Sequence, residues 1–155
     1  MNVRLAEEKD LSRVNELRKQ VNDLHVMGKP EVFKAGFSSE LRDYIQLIRK
    51  DPEQEIVVAE KDGTICAFAV IHHISRPENP FIYERDFLDI DEFCVDEKYR
   101  RQGAGSALVR FIRDFAKEKG FHRIELNMWE FNQDALAFYE AAGFTTFRRY
   151  MEMFI

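Results

Sequence analysis

Arg100-Arg101-Gln102-Gly103-Ala104-Gly105-Ser106 is the stretch whose residue types and spacing point most directly to chemistry. It lies between an apolar run ending at Val95 and an amphipathic helix expected over 103–119. Two glycines let a backbone come close to a bound group. Free N–H groups at a helix start favour negative charge. The combination suits a phosphate or pyrophosphate. The competing reading of Gly103 and Gly105 is a tight strand-to-helix turn and nothing more. Arg100, Arg101 and Gln102, just ahead of the glycines, favour the anion. A P-loop needs Lys-Ser/Thr after its last glycine, whereas Ser106-Ala107 follows here. A dinucleotide fingerprint needs a third small residue where Leu108 stands.

The elements that must carry this loop are legible from periodicity. Asn2 to Leu5 reads as a strand, and Lys9 to Met27 as a helix with Leu11, Val14, Leu17, Val21 and Leu24 at helical spacing. Gly28-Lys29-Pro30 ends that helix. A second helix is predicted over 39–49 and a hairpin over 56–60 and 65–73, around Lys61-Asp62-Gly63-Thr64. Strands over 87–95 and 123–129 flank the helix that follows the glycine loop. Asn132 caps a last helix that Gly143 ends. Strands over 144–147 and 150–155 close the chain. The class is α/β with a mixed sheet. Within 87–95 the apolar phase slips: Leu88 and Ile90 share one face, Phe93 and Val95 the other. A bulge at Asp91-Glu92 gives such a slip, and so does a central strand buried on both faces.

Composition narrows the class further. The chain has 155 residues, 45% of them hydrophobic and 33% charged, as expected of one globular domain spanning 1–155. No run approaches the roughly 20 apolar residues of a membrane helix, and Met1-Asn2-Val3-Arg4 lacks the apolar core of a secretion signal. Cys66 and Cys94, each inside an apolar run, are expected to be buried free thiols of a cytoplasmic protein. A net charge of −5 argues against a nucleic-acid partner and favours cationic ones. His25, His72, His73 and His122 have no metal-ligand spacing with either cysteine, so no metal is expected.

The run from Ile90 to Gly105, with Arg100, Gly103 and Gly105 as its Arg/Gln-x-x-Gly-x-Gly/Ala core, resembles the central motif of the GCN5-related N-acetyltransferase superfamily. The run from Asn132 to Phe144 resembles that superfamily's second motif, at matching spacing. Residues 87–144 carry the resemblance, and the rest agrees in element order. It implies a GNAT-like acyl-CoA N-acyltransferase fold with a mixed six- to seven-stranded sheet and about four helices. It also implies acetyl-CoA as co-substrate. The residues expected to bind it are Phe93, Cys94 and Val95; Arg100, Arg101, Gln102, Gly103, Ala104, Gly105 and Ser106; and Asn132, Ala135, Phe138 and Tyr139. Members splay two parallel strands at the point of the slip, which favours the bulge.

Acetyl transfer needs a neutral amine, and freeing the lone pair of an alkylammonium at pH 7 costs roughly 4–5 kcal/mol. A carboxylate can take that proton. Asp91 and Glu92 are placed for it, and strand alternation puts them on different faces. The stretch from Leu88 to Val95 resembles spermidine/spermine N-acetyltransferases, which favours Asp91 as the amine-side group. Tyr139 matches the superfamily's general acid toward the CoA thiolate; its own helix reads equally as an apolar stripe with Leu136 and Phe138. Trp129 and Phe131 are candidates for the acceptor pocket or for core packing. The acidic set Glu84, Asp86, Asp89, Asp91 and Glu92 suits a small polycation such as a polyamine or aminoglycoside, attacked directly in a ternary complex. A protein N-terminus or lysine, or a non-catalytic acyl-CoA-binding module, are the alternatives. Members of the superfamily often pair through edge strands, which makes Tyr150–Ile155 a candidate edge for a homodimer.

Overall fold

Ile56, Val57, Val58 and Ala59 are all fully or nearly fully buried, and so is every residue from Ile65 to Ile71. Such continuous apolar runs require strands covered on both faces. The structure, a computed structural model, describes all of Met1–Ile155 and meets that requirement with three layers. The strands are β1 (Asn2–Leu5), β2 (Gln54–Lys61), β3 (Thr64–Arg76), β4 (Arg85–Val95) and β5 (Ile124–Leu126). They lie in chain order in one sheet; β1 to β4 are antiparallel and β5 runs parallel to β4. The helices are α1 (Leu11–Gly28), α2 (Ser39–Lys50), α3 (Ala104–Glu118) and α4 (Gln133–Ala141).

Alternate strand residues serve different layers. Val57 and Ala59 of β2 pack with Leu108 and Ile112 of α3. Ile56 and Val58 pack with Val14 and Leu17 of α1 and Ile45 and Ile48 of α2. Ser38 caps α2 by accepting from the Leu41 N–H at 3.2 Å, and Asn132 caps α4 by accepting from the Ala135 N–H, also at 3.2 Å. No helix is long and apolar enough to cross a membrane.

The sheet has five strands, not six or seven. β5 is also shorter than its apolar run, and no strand forms over 144–147 or 150–155. The β4–β5 ladder ends at Ile90–Leu126, so little backbone is presented for a further strand to pair with. Nor does the C-terminal sequence specify a buried face: Tyr150, Met151, Met153 and Phe154 are all largely exposed. A strand without one apolar face has weakly specified register. Tyr150–Ile155 therefore offers no edge strand for a dimer.

Candidate active site

The glycine loop is anchored from its start. Asp96, buried at the end of β4, accepts from the Lys98 N–H at 3.0 Å and pairs with Arg13 of α1. Burial works against its charge, but these two partners hold its carboxyl below the usual range. Arg13 Nε also donates to the Ile65 carbonyl at 3.1 Å. Beyond a single 3-10 turn, Arg101 and Gly103 both adopt left-handed backbone, with φ of 59° and 87°. For Arg101 this costs on the order of 1 kcal/mol.

No side chain caps α3. Its first intrahelical bond runs from the Ala107 N–H to the Gly103 carbonyl at 2.9 Å, leaving the Ala104, Gly105 and Ser106 N–H groups without a partner in the chain. The two glycines differ in purpose. A Cβ on Gly103 would meet open space, so its role is the left-handed turn that exposes the helix end. A Cβ on Gly105 would sit 3.0 Å from the Phe138 ring and 3.4 Å from Val95, so its role is close packing of α3 against α4 and β4. Arg101 is exposed and makes no ion pair, whereas Gln102 is tied to the Lys98 carbonyl at 2.9 Å and to Lys61 at 2.8 Å. Arg100 donates weakly to the Val95 carbonyl at 3.4 Å, and Ser106 is exposed.

The phase slip in β4 is a bulge. Val70 faces Glu92 and Ile71 faces Ile90, so Asp91 is the extra residue. Pairing with β5 ends one residue earlier, at Ile90. From there β4 keeps β3 as its partner while its other edge is unpaired alongside Phe93, Cys94 and Val95. Ile90 and Phe93 both pack on the α3 face. The two residues between them therefore share the α1/α2 face, against the alternation expected of a regular strand.

Glu92 is not free on that face. Arg18, 7% exposed, donates to it from Nε at 2.9 Å and from Nη2 at 3.1 Å. Arg18 Nη1 also reaches the Leu41 carbonyl at 2.6 Å and Asn15 at 3.0 Å, and the guanidinium lies 5.8 Å from the Phe37 ring centre and 5.9 Å from that of Tyr44. Asp91 is exposed and has no ion-pair partner. Asp89 lies one row below it; burial, then the nearby charges of Asp91 and Glu125, push its carboxyl up to about 6. Glu125 itself is paired with Arg85 and, at 3.0 Å, with Arg123.

Tyr139 occupies the opposite side of the slip, with its ring centre 5.8 Å from Phe93, 5.2 Å from Phe138 and 5.7 Å from Phe144. Its hydroxyl has no hydrogen-bond partner in the chain and is not sealed from solvent. Burial, helped by Cys94, pushes the phenol up to about 12. The Cys94 thiol is pushed, mainly by burial, to about 12 as well. Cys66 is also buried and free.

Sequence reasoning missed Arg18. Its one trace is position: with Val14 and Val21 it falls on the apolar stripe of α1, where an arginine needs a partner. It also missed His25 and Phe33, which meet each other at 4.8 Å between ring centres.

The profile of the acetyltransferase (GNAT) family matches residues 18–144. An uncharacterised N-acetyltransferase of Methanocaldococcus jannaschii is 30% identical over 105 residues, 66% of this chain and 44% of that protein. An L-ornithine N5-acetyltransferase of Arabidopsis thaliana is 26% identical over 108 residues, 68% of this chain and 46% of that protein. The chain thus spans under half the length of these relatives. Among solved structures, a mutant protein of Bacillus halodurans superposes with a TM-score of 0.95 at 28% identity, covering 100% of this chain and 99% of that one. The family profile covers most of the chain, and the chain belongs to the acetyltransferase (GNAT) family.

Proposed function

We propose that the chain is an N-acetyltransferase that moves the acetyl group of acetyl-CoA to a primary amine of a small cationic acceptor, by direct attack in a ternary complex. The observation that carries the reading is the coincidence, within one residue, of the Asp91 bulge and the end of β4–β5 pairing. It opens a strand edge between an unpaired carboxylate on one face and a phenol on the other.

The Ala104, Gly105 and Ser106 N–H groups, with Arg101, suit the CoA pyrophosphate. The free edge of β4 from Phe93 to Val95 suits the amides of the pantetheine arm. The amine nitrogen bonds to the thioester carbonyl carbon and the C–S bond breaks. Asp91, directly or through water, accepts the proton lost by the ammonium, and Tyr139 gives its proton to the departing sulfur. As the tetrahedral adduct collapses its nitrogen loses a second proton to solvent, solvent reprotonates the phenolate, and the products are the N-acetyl amide and CoA thiol. Two buried thiols, one pushed to about 12, leave no candidate for a cysteine acyl intermediate and suit a reducing, cytoplasmic setting.

The test is release of free CoA thiol from acetyl-CoA across a panel of primary amines. Amine-dependent release is expected, falling by roughly 100-fold in turnover in Tyr139→Phe while acetyl-CoA affinity holds within about twofold. CoA binding without release by any amine contradicts the enzyme reading, and near-normal turnover in Tyr139→Phe removes it from the reaction.

A further inference from the structure

The bulge that opens β4 has a second consequence on the acceptor face. In a regular strand Glu92 would follow Ile90 onto the α3 face. The extra residue turns it instead to the α1/α2 face, beside Asp91. Glu92 is 23% exposed there, so an ammonium arriving for Asp91 meets two neighbouring carboxylates. The opened strand therefore needs a means of choosing between them.

Arg18 takes both oxygens of Glu92. Its Nε donates to one at 2.9 Å and its Nη2 to the other at 3.1 Å, a two-pronged fork that a lysine cannot form. The guanidinium is itself held in place. Its Nη1 donates to the Leu41 carbonyl at 2.6 Å and to Asn15 at 3.0 Å, and the ring centres of Phe37 and Tyr44 lie 5.8 Å and 5.9 Å from its Cζ. Stability alone gives no reason for this pair, since a well-packed apolar pair would join α1 to β4 as firmly. Asp89 stands one row below the bulge, where His72 and Arg76 act on it as well as its acidic neighbours. Asp91, exposed and without an ion-pair partner, is left open at the bulge.

Resting on the proposed acetyl transfer, we infer that Arg18 is a positioning residue: by holding both oxygens of Glu92 it masks the wrong one of two adjacent carboxylates and sends the ammonium of the acceptor to Asp91. An ammonium bound at Glu92 would sit about one residue, roughly 3.3 Å, along the strand from its productive place. A misplacement of only ~1 Å costs a reaction up to about 100-fold. An amine held there is bound but not acetylated, so unmasking Glu92 lowers kcat and the amine KM together.

The test uses the primary amine that gives the fastest release of CoA thiol, at a temperature where each variant is folded. Arg18→Met is expected to lower kcat and the amine KM together, each about fivefold, the strength of one part-exposed ion pair, with kcat/KM and the Kd of acetyl-CoA within about twofold. Arg18→Met with Glu92→Leu removes the competing carboxylate and should raise both constants again. Arg18→Lys keeps the charge but holds one oxygen at a time, so it should show a smaller paired fall, and it carries the same test where Arg18→Met does not fold. A purely structural pin would lower Tm and leave both constants of the folded enzyme unchanged. That result overturns the inference, as does a fall in kcat with KM unchanged or raised, or a double variant that does not recover. If the unaltered enzyme releases no CoA with any amine, the acetyltransferase reading itself fails, and the inference with it.

Discussion

The two faces of β4 are built in different materials. The α3 face offers main chain: three uncapped N–H groups at the start of α3, and a strand edge left unpaired beyond Ile90. The α1/α2 face offers side chains brought from far apart in sequence, with Arg18 and Glu92 separated by 74 residues and Phe33 and Trp129 by 96 (129 minus 33). A main-chain site depends on backbone geometry, so it is disturbed chiefly by changes that alter the backbone, as at Gly103. A side-chain site changes with single substitutions.

The largest expected effect tests whether the two acids at the bulge are divided as their contacts imply. Asp91→Asn should lower kcat by about 100-fold or more, because the carboxylate without a partner is the one able to take the proton. Glu92→Gln should cost turnover far less and stability more. Equal losses of turnover would mean that the Arg18 pairing does not withdraw Glu92 from the chemistry.

Next comes the ion pair itself. Arg18→Met leaves a part-buried carboxylate unpaired and strips α1, α2 and β4 of their common partner. A loss of about 3–5 kcal/mol in denaturant unfolding is expected. Arg18→Met with Glu92→Leu should recover much of that stability, since no stranded charge remains. Failure to recover would place the role of Arg18 in its contacts to Leu41, Phe37 and Tyr44.

The glycines give a smaller contrast on the other face. Gly103→Val forces a β-branched residue into left-handed backbone, so acetyl-CoA Kd should rise about tenfold with stability lowered by about 1–2 kcal/mol. Gly105→Ala should mainly destabilise, by pressing on Phe138 and Val95. Interchanged effects would reverse the roles assigned to them.

The smallest effect is one of pH. In the folded chain Asp89 titrates at about 6, and in the unfolded chain near the ordinary aspartate value of about 3.9. Between these the folded state binds the proton more tightly, so stability falls as pH rises through the window and the full penalty stands above it. Asp89→Asn should therefore raise Tm at about pH 8 and leave it nearly unchanged at about pH 4, as thermal melts at both would show.

This division also explains what was legible in the sequence. Glycines, the N-cap Asn132 and the slipped phase at Asp91 are local signals, and the helices, β1 to β4 and the loop follow from them. The facing of Asp91 and Glu92 was not legible, because a bulge sets two neighbours on one face. The C-terminal strands failed because apolar residues there were read without a partner ladder to receive them. Arg18, His25 and Phe33 were invisible because their meaning lies in contacts that only the fold creates.

The sharpest measurement is a crossed pair of titrations: the Kd of acetyl-CoA and the kcat with a saturating amine, each for Gly103→Val and Asp91→Asn. The expected pattern is weakened acetyl-CoA binding with turnover at saturation largely kept in Gly103→Val, and unchanged binding with collapsed turnover in Asp91→Asn. Loss of acetyl-CoA affinity in Asp91→Asn, or unchanged affinity in Gly103→Val, would contradict the separation of donor and acceptor between the two faces of β4.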